Sequence, residues 1–487
     1  MKKISYKTIV LFSALLFLMI GCTKDFEDIN TNPNEPTLVP TEYLLTNAQF
    51  RLNDYRWDEW WNARQGLVYS QYWSQTAYTE ESRYEPRVNI TNSYWSYFYI
   101  NMMDLENIIE INTNEDTKGA AAASGPNENQ IAVARILKAH TYQMLTDIWG
   151  DIPYFEALKG IEETAPAYTD QQEIYADLLK ELTEAQAMIV DGDINGDIIY
   201  GGDMTKWKKF ANSLRMRVAL RTSKVNPSFK TEIEAAISAG AFTSYEDDAY
   251  FQFDNISPGY NPLYEAIVVS GRPPDFAVSE PMINMLVSTN DPRLPFYADK
   301  AVAFADTDTP YRGLPYGLNA TEAPAVAGPG SENVSLPSAD IVIAPNAKAW
   351  MMTYGEVCFI KSEIMGWDQT EYTNGIEASM MTWGVDAADI ATYLASVAPA
   401  SAKTVGEQKW LAMYMQGNQG WFEWRRTGYP ELSGPVDGAL GDIGTRIIAS
   451  RLFYPEREQV TNLESYEAAV AAQGLDQLFT RVWWDAP

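Results

Sequence analysis

Residues 55 to 99 form the part of the chain that is richest in side chains able to contact a ligand, with thirteen Trp and Tyr residues. An exposed indole or phenol ring stacks well on the flat C–H face of a sugar, provided that polar side chains stand beside it to bind the hydroxyls. Rings on an apolar helical stripe, such as Trp95, belong to a core instead. We predict that ligand contacts in this segment come from Trp57, Trp60, Trp73, Tyr78, Arg83 and Tyr84.

A second group of candidate residues lies in the segment from about 251 to 348, which is rich in Pro, Gly and Ala. Its turn-forming residues predict long ordered loops, and loops of that length in a compact protein commonly carry function. Aromatic and charged side chains recur near its start. We therefore add Tyr260, Tyr264, Arg272 and Asp275 to the predicted ligand contacts.

Catalytic groups are scarce in this sequence. The single histidine, His140, falls on an apolar helical pattern, which favours a packed imidazole over a catalytic base. Cys358 lies in another apolar helical stretch and has no evident base partner. We expect no enzymatic activity. A glycoside hydrolase that uses two carboxylates remains an alternative, because spacing along the chain does not give the distance between carboxyl groups.

One loop has the beginning of a calcium-binding motif. Asp191, Asp193, Asn195 and Asp197 stand at the first, third, fifth and seventh positions of an EF-hand loop, with Gly at the sixth. The twelfth position, which needs a bidentate Glu, is Gly202. The sequence thus favours a polar turn, with calcium as the alternative, and we expect no other cofactor.

The net charge of −29 argues against nucleic acid as a partner, because such a surface repels a phosphate backbone. The acidic residues are dispersed, and 46% of the residues are hydrophobic, so the chain can bury a large core. Composition therefore predicts a globular protein.

The N-terminus has the layout of a secretory leader. Lysines precede an apolar run, Ile9 to Ile20, that is too short to span a bilayer. Gly21 directly before Cys22 resembles a lipobox, in which the leader is cleaved and the cysteine is acylated. We predict a signal peptide at 1–21, lipidation at Cys22 and a flexible tether at 22–40. The alternative is an ordinary leader with an incidental cysteine.

Most of the remaining chain has helical periodicity. We predict a helix beginning at Thr41, helices over 93–112 and 131–149, and further helices near 171–190, 205–222, 229–239, 279–289, 350–366, 374–396 and 404–417. Alternation with period two is rare, although residues 249–253 suggest a short strand. The predicted fold is mainly α, with tetratricopeptide-like helical pairs, long irregular loops and minor β structure in a single domain at 41–487.

Several segments resemble the SusD/RagB family of nutrient-binding outer-membrane lipoproteins, and the resemblance covers nearly the whole chain. It rests on Cys22 and on Asp28 to Asn34, Ala134 to Ala139, Thr146 to Tyr154, Tyr200 to Asp203, Lys206 to Arg215, Asn290 to Leu294, Gly375 to Met380, Trp421 to Pro430 and Arg451 to Pro455. The resemblance implies a tetratricopeptide-like scaffold with an irregular ligand-binding face. It also implies a partner, a SusC-like TonB-dependent transporter, over which the lipoprotein acts as a hinged lid at the cell surface.

We therefore expect a lipid-anchored, cell-surface protein of the outer membrane that captures a nutrient, most simply an oligosaccharide, and passes it to such a transporter. A peptide is the alternative ligand, because peptide-binding grooves are also lined with aromatic residues. The motifs that carry the resemblance serve mainly the scaffold. For Arg425 and Arg426 beside Glu423, we predict structural ion pairs and ring stacking.

Overall fold

Helices dominate the computed structural model, which describes residues 39–438 and 448–486. The chain divides into residues 1–40 and residues 41–487, and the second unit contains every element named below. The longer helices are α1 (Thr41–Trp57), α2 (Glu59–Leu67, a π-helix), α3 (Val88–Thr113), α4 (Asn127–Trp149), α5 (Gln171–Met188), α6 (Met204–Arg221), α7 (Phe229–Gly240), α8 (Glu280–Ser288), α9 (Tyr354–Ile364), α10 (Gln369–Thr382), α11 (Ala387–Leu394), α12 (Ala402–Ala412), α13 (Gly417–Thr427) and α14 (Leu463–Gln473).

The strands are short and form three separate antiparallel pairs. They are β1 (Trp73–Gln75), β2 (Ile152–Pro153), β3 (Tyr168–Thr169), β4 (Ala249–Gln252), β5 (Phe276–Val278) and β6 (Lys348–Met352), paired β1 with β5, β2 with β3 and β4 with β6. Short helical turns interrupt the loops, at Lys118–Ala121, Pro262–Tyr264, Glu265–Val269, Leu294–Tyr297, Glu322–Ala327 and Glu458–Thr461, with 3-10 turns at Glu81–Arg83, Ala122–Ser124, Gly160–Glu162, Tyr245–Asp247, Val302–Phe304 and Pro329–Ser331.

The long helices pack as neighbouring pairs, as the predicted scaffold requires. Helix α1 packs on α3, α4 on α5, α6 on α7, and α9 on α10, while contacts of α3 with α4 and of α5 with α6 join successive pairs. Each pair leaves an apolar face that the next pair covers. The predicted mainly α fold of helical pairs is confirmed.

Aromatic rings connect the first helices to the core. The Trp61 ring stacks on Tyr94 with centroids 5.0 Å apart and lies 5.7 Å from Trp149, whose ring also contacts Trp95 at 5.0 Å. Trp61 and Trp149 are fully buried. Large rings packed in this way fix the position of α2, which carries the neighbouring Trp60.

Three predicted helix boundaries are wrong. Residues 348–352 form strand β6 opposite β4, and α9 starts only after Thr353, whose hydroxyl accepts a hydrogen bond from the Glu356 amide. The predicted helix at 374–396 is two helices, because Gly384 between them has a φ of 82°. The predicted helix at 404–417 ends at Ala412, and a further helix, α13, begins at Gly417.

Other predictions are confirmed. The helices at 41, 93–112 and 131–149 are present, each starting at or before the predicted residue, and the 249–253 strand is β4. The predicted signal peptide, lipidated Cys22 and all but the last two residues of the tether lie outside the described residues. No helix in the described part of the chain combines the length and apolarity that a bilayer crossing requires.

Candidate ligand-binding site

The pairing of β1 with β5 brings the two predicted groups of ligand contacts together. Trp73 lies opposite Val278 and Gln75 opposite Phe276, and the pairing continues with the Thr76 amide, which donates to the Asp275 carbonyl at 2.8 Å. The Thr76 hydroxyl donates to the Pro274 carbonyl, also at 2.8 Å. The loop at 270–275 is thereby held beside the segment that carries Tyr78.

Trp60 and Tyr78 each have an exposed ring in this region. Trp60 is 39% exposed and Tyr78 is 56% exposed, whereas Trp61, the next residue on α2, is fully buried. The contrast arises at the start of α2, where the Asp58 carboxylate accepts a hydrogen bond from the Trp61 amide at 2.6 Å. With Trp61 anchored in the core, the adjacent Trp60 faces outward.

The guanidinium group of Arg64 connects these two rings. Its carbon lies 4.7 Å from the Trp60 ring centroid and 5.9 Å from that of Tyr78, distances at which a cation is attracted to an aromatic face. Arg87 occupies a similar place, 5.8 Å from Trp60 and 5.7 Å from Tyr78. Two cations therefore support both rings.

Carboxylates hold Arg64 in this position. Its Nη2 lies 2.6 Å from Asp275 and 3.1 Å from Glu59, and its Nη1 lies 3.7 Å from Glu81. The Arg64 side chain is 1% exposed, so these charges are desolvated and depend on one another. Burial raises the pKa of Glu81, and the hydrogen bond from Gln75 and the nearby cations of Arg87 and Arg64 partly oppose this effect.

Arg272 completes the site at its exposed edge. Its Nη2 lies 3.2 Å from Asp275, which also binds Arg64, and 47% of its side chain is exposed. We call the set Trp60, Arg64, Tyr78, Arg87, Arg272 and Asp275 the Trp60–Tyr78 surface. It presents two rings with guanidinium and carboxylate groups beside them, which is the combination that a sugar chain requires.

The backbone of Tyr78 is in an unusual conformation. Its φ is 51°, in the left-handed region that side-chain-bearing residues rarely adopt. Such a conformation costs energy and is common at ligand sites. Here it places a ring that is more than half exposed directly after the turn that follows β1.

Three of the residues predicted to contact ligand are buried, which corrects the prediction that their rings are accessible. Trp73 is fully buried and donates its indole N–H to the Tyr414 hydroxyl at 2.9 Å. Tyr84 is 4% exposed because its ring packs edge-on against Tyr69. Trp57 is 2% exposed and lines a different cavity. None of the three presents a free ring face at the Trp60–Tyr78 surface.

The other predicted residues lie near this surface or on the adjoining loop. Arg83 pairs with Glu85 at 2.7 Å and donates to the Thr79 hydroxyl at 3.2 Å. Tyr260 and Tyr264 are half-buried and contact each other edge-on, with centroids 5.2 Å apart. Asn261 between them donates to the carbonyls of Val342 and Ala344, and these hydrogen bonds join the pair to the 342–345 loop.

Arg64 and Arg87 were not among the ligand contacts predicted from the sequence. Arg64 was detectable, because it follows Trp60 by four residues and so shares its side of a helix. Arg87 had no such signal, since its position depends on the irregular chain between Tyr84 and α3.

The Asp191–Asp197 loop uses its most buried carboxylate for protein contacts. Asp197 accepts hydrogen bonds from Gln49 at 2.9 Å, from the Gly202 amide at 2.9 Å and from the Trp207 indole at 2.7 Å. Asp191, Asp193 and Asn195 are exposed. Within the described residues no cluster of three or more His, Cys, Asp or Glu side chains is arranged to hold a metal ion. The polar turn therefore stays the prediction for this loop, with calcium as the alternative.

The two groups considered for catalysis lie in the core. Burial, together with the nearby cations of Arg56 and Arg217, lowers the pKa of His140 well below its ordinary value. Burial raises the pKa of the Cys358 thiol to about 12. A neutral buried imidazole and a protonated buried thiol are both poorly placed to react with a solvent-borne substrate.

Arg425 and Arg426 serve the scaffold, as predicted. Arg426 Nη2 lies 2.6 Å from Glu423 and 2.5 Å from Glu363. The Arg425 guanidinium lies 4.4 Å from the Trp421 ring centroid and 4.6 Å from that of Trp484. These contacts join α13 to α9 and to the C-terminal segment.

Comparisons with known proteins agree on one family. The SusD-like_2 family, described as "Starch-binding associating with outer membrane", matches residues 33–455. No curated protein sequence matches the chain. A solved structure named a chitin-binding protein is 26% identical, with a TM-score of 0.79, over 92% of this chain and 100% of that one.

Two further structures show the same fold. A SusD homologue from Bacteroides uniformis is 23% identical with a TM-score of 0.77, over 91% of this chain and 100% of its own. A chitin-binding SusD homologue from Flavobacterium johnsoniae is 23% identical with a TM-score of 0.76, over 91% of this chain and 98% of its own. The family match covers most of the sequence and the folds agree along its length, so the chain belongs to the SusD-like family.

Proposed function

We propose that this protein captures an oligosaccharide at the cell surface and delivers it to a SusC-like TonB-dependent transporter in the outer membrane. The observation that carries the proposal is the pair of exposed rings, Trp60 and Tyr78, supported on two buried or half-buried guanidinium groups. Neighbouring exposed aromatic rings with polar groups at their edge are typical of interaction surfaces, and these two rings lie beside polar groups suited to hydroxyls.

The Trp60–Tyr78 surface matches the chemistry of a sugar chain. An apolar pyranose face stacks on an indole or phenol ring, while hydroxyls exchange hydrogen bonds with Arg272, Arg87 and Asp275. The Arg64 network keeps both rings in place before the ligand arrives, which lowers the ordering cost of binding.

Chitin oligosaccharides are the first ligand class to test. The structural relative at 26% identity is named a chitin-binding protein, and a more distant relative with the same fold is named in the same way. The N-acetyl methyl groups of chitin add apolar area for contact with rings such as Trp60 and Tyr78. Starch fragments are the second class, because the family description names starch.

The leader and Cys22 supply the anchor in this proposal. Acyl chains on Cys22 hold the protein at the outer membrane, and the tether at 22–40 lets the body move as a lid over the transporter. The family description, with its association with the outer membrane, supports this placement. Transport energy comes from the partner, so the protein itself needs only to bind and release.

Calorimetric titration of the full chain with a glycan and peptide panel tests the proposal. Chitin or starch oligosaccharides should bind and should leave the solution without new reducing ends. Binding of peptides alone would favour the peptide-binding alternative, and release of reducing sugar would favour the glycoside hydrolase. The absence of any glycan binding would remove the proposed function.

A further inference from the structure

A pocket lies beside the β4–β6 pair. Its volume is about 280 Å³, and its walls include Trp57, Gln252, Lys348, Trp350, Thr382 and Trp383. It shares no residue with the Trp60–Tyr78 surface. Small-molecule sites usually start at about 300 Å³, so this pocket suits a compact ligand or one unit of a longer ligand.

Aromatic rings form the apolar walls of the pocket. The centroids of Trp350 and Trp383 are 6.3 Å apart, and Trp350 also contacts Tyr250 at 5.1 Å. Trp383 is held from behind by Tyr297 and Tyr414, with centroids at 4.8 Å and 5.8 Å. The rings are therefore fixed in place before any ligand enters.

A lysine, an aspartate and two amide side chains complete the lining of the pocket. The Lys348 ammonium lies 4.3 Å from the Tyr250 centroid and 5.2 Å from the Trp350 centroid, and it forms no salt bridge with any described residue. Asp340, Asn346 and Gln252 are exposed at the rim. Lysine, carboxylate and amide side chains together suit vicinal hydroxyls, which donate and accept hydrogen bonds at once.

From these contacts we infer that this pocket, which we call the Trp383 pocket, binds one neutral sugar ring. The partly exposed ring of Trp383 fits one apolar face of such a sugar, and the mixture of Lys348 and Asp340 favours an uncharged polyol over an acidic or a basic ligand. The inference rests on the proposed function, because it assigns a second sugar site to the same protein. The ring is either the end unit of a captured oligosaccharide or a free monosaccharide.

Titration of the full chain in detergent with N-acetylglucosamine, glucose, galactose and mannose, followed by ligand-observed NMR and calorimetry, tests the inference. At least one should bind to the wild type. Lys348→Met keeps the apolar stem and should weaken that binding about tenfold, because one charge-assisted hydrogen bond is lost. Ala344→Phe should abolish it by filling the pocket that Ala344 lines.

Tyr43→Ala is the matched control, because this exposed ring lies in neither site, and it should leave monosaccharide binding unchanged. If Ala344→Phe also weakens oligosaccharide binding, the pocket takes chain ends; if it does not, the pocket takes free monosaccharides. The inference is overturned if none of the four sugars binds, or if folded Lys348→Met and Ala344→Phe proteins bind them like the wild type. Oligosaccharide binding that is lost in Trp60→Ala would then leave the proposed function standing.

Discussion

The guanidinium of Arg64 lies 4.7 Å from the Trp60 ring centroid, while one of its nitrogens lies 2.6 Å from Asp275. This single side chain joins α2 to the loop before β5, and those two segments are more than two hundred residues apart in the sequence. The exposed ring therefore rests on a buried ion pair.

Trp60→Ala should weaken oligosaccharide binding about tenfold, equivalent to about 1.4 kcal/mol, because it removes one stacking face from the site. The ring is only 39% exposed and contacts the guanidinium groups of Arg64 and Arg87, so the free energy of unfolding should fall by about 1–2 kcal/mol. Calorimetric titration and urea unfolding measure the two effects. Tyr43→Ala, another exposed ring at 62%, is the control and should leave affinity unchanged.

Arg64→Met should destabilise the protein by about 3–5 kcal/mol, because it leaves Glu59 and Asp275 without their buried partner. Urea unfolding measures the loss. Arg83→Ala breaks the more accessible pair with Glu85 and a hydrogen bond to Thr79, and it should cost about 1 kcal/mol. Equal losses for the two variants would show that the Arg64 network does not hold the site together.

Tyr84→Ala and Tyr78→Ala should show that Tyr84 belongs to the core and Tyr78 to the ligand-binding surface. Tyr84 is 4% exposed and packs on Tyr69 and Phe479, so its removal should cost about 3 kcal/mol of stability. Tyr78→Ala should instead leave the melting temperature close to that of the wild type and reduce oligosaccharide affinity. A stable Tyr84→Ala protein with reduced affinity would return Tyr84 to the ligand site.

Asp248 should make stability depend on pH. Burial raises its pKa from 3.8 to about 7, although its carboxylate accepts hydrogen bonds from the Tyr354 amide and the Thr382 hydroxyl. Because the folded-state pKa is the higher one, the protonated form is favoured by folding. The stabilisation is complete below about pH 4 and is lost as pH rises toward about 7.

Asp248→Asn is the variant that isolates this effect. Relative to the variant, the wild type should lose on the order of 2–4 kcal/mol of stability between about pH 4 and pH 7. Urea unfolding of both proteins across that range measures the difference. A difference that stays constant with pH would show that Asp248 does not titrate in this window.

Cys22→Ala should separate binding from uptake. The residue lies in the predicted lipobox, outside the described residues, so the purified variant should bind oligosaccharide like the wild type. Without the acyl anchor the protein should leave the membrane, and uptake of the glycan by cells should be lost. Normal uptake by this variant would mean that the anchor and tether are not part of the mechanism.

The helical scaffold was predictable because its signals are local. Apolar residues at helical spacing marked α3 and α4, and turn residues marked the long loops. The errors at 350–366 and 374–396 arose where long-range pairing turned Lys348–Met352 into a strand and where Gly384 ended a helix inside an apolar pattern. The spacing of apolar residues alone reveals neither the strand nor the helix end.

The site was predictable only in part, because exposure of a ring depends on distant segments. Trp60 and Tyr78 were predicted as ligand contacts from their residue types and polar neighbours. Arg272 and Asp275 were predicted from the composition of their loop. Tyr84 has polar neighbours as well, yet Phe479 from the far C-terminal segment packs against its ring at 6.0 Å. Trp73 is buried, and its indole donates a hydrogen bond to Tyr414, a partner more than three hundred residues away.

The most direct test of the account is a titration of chitin and starch oligosaccharides into the full chain, the Trp60→Ala variant and the Tyr78→Ala variant. The account predicts saturable binding of at least one oligosaccharide by the wild type and a loss of about tenfold in affinity for each folded variant. Binding that is unaffected by both substitutions, or no glycan binding at all, would contradict it.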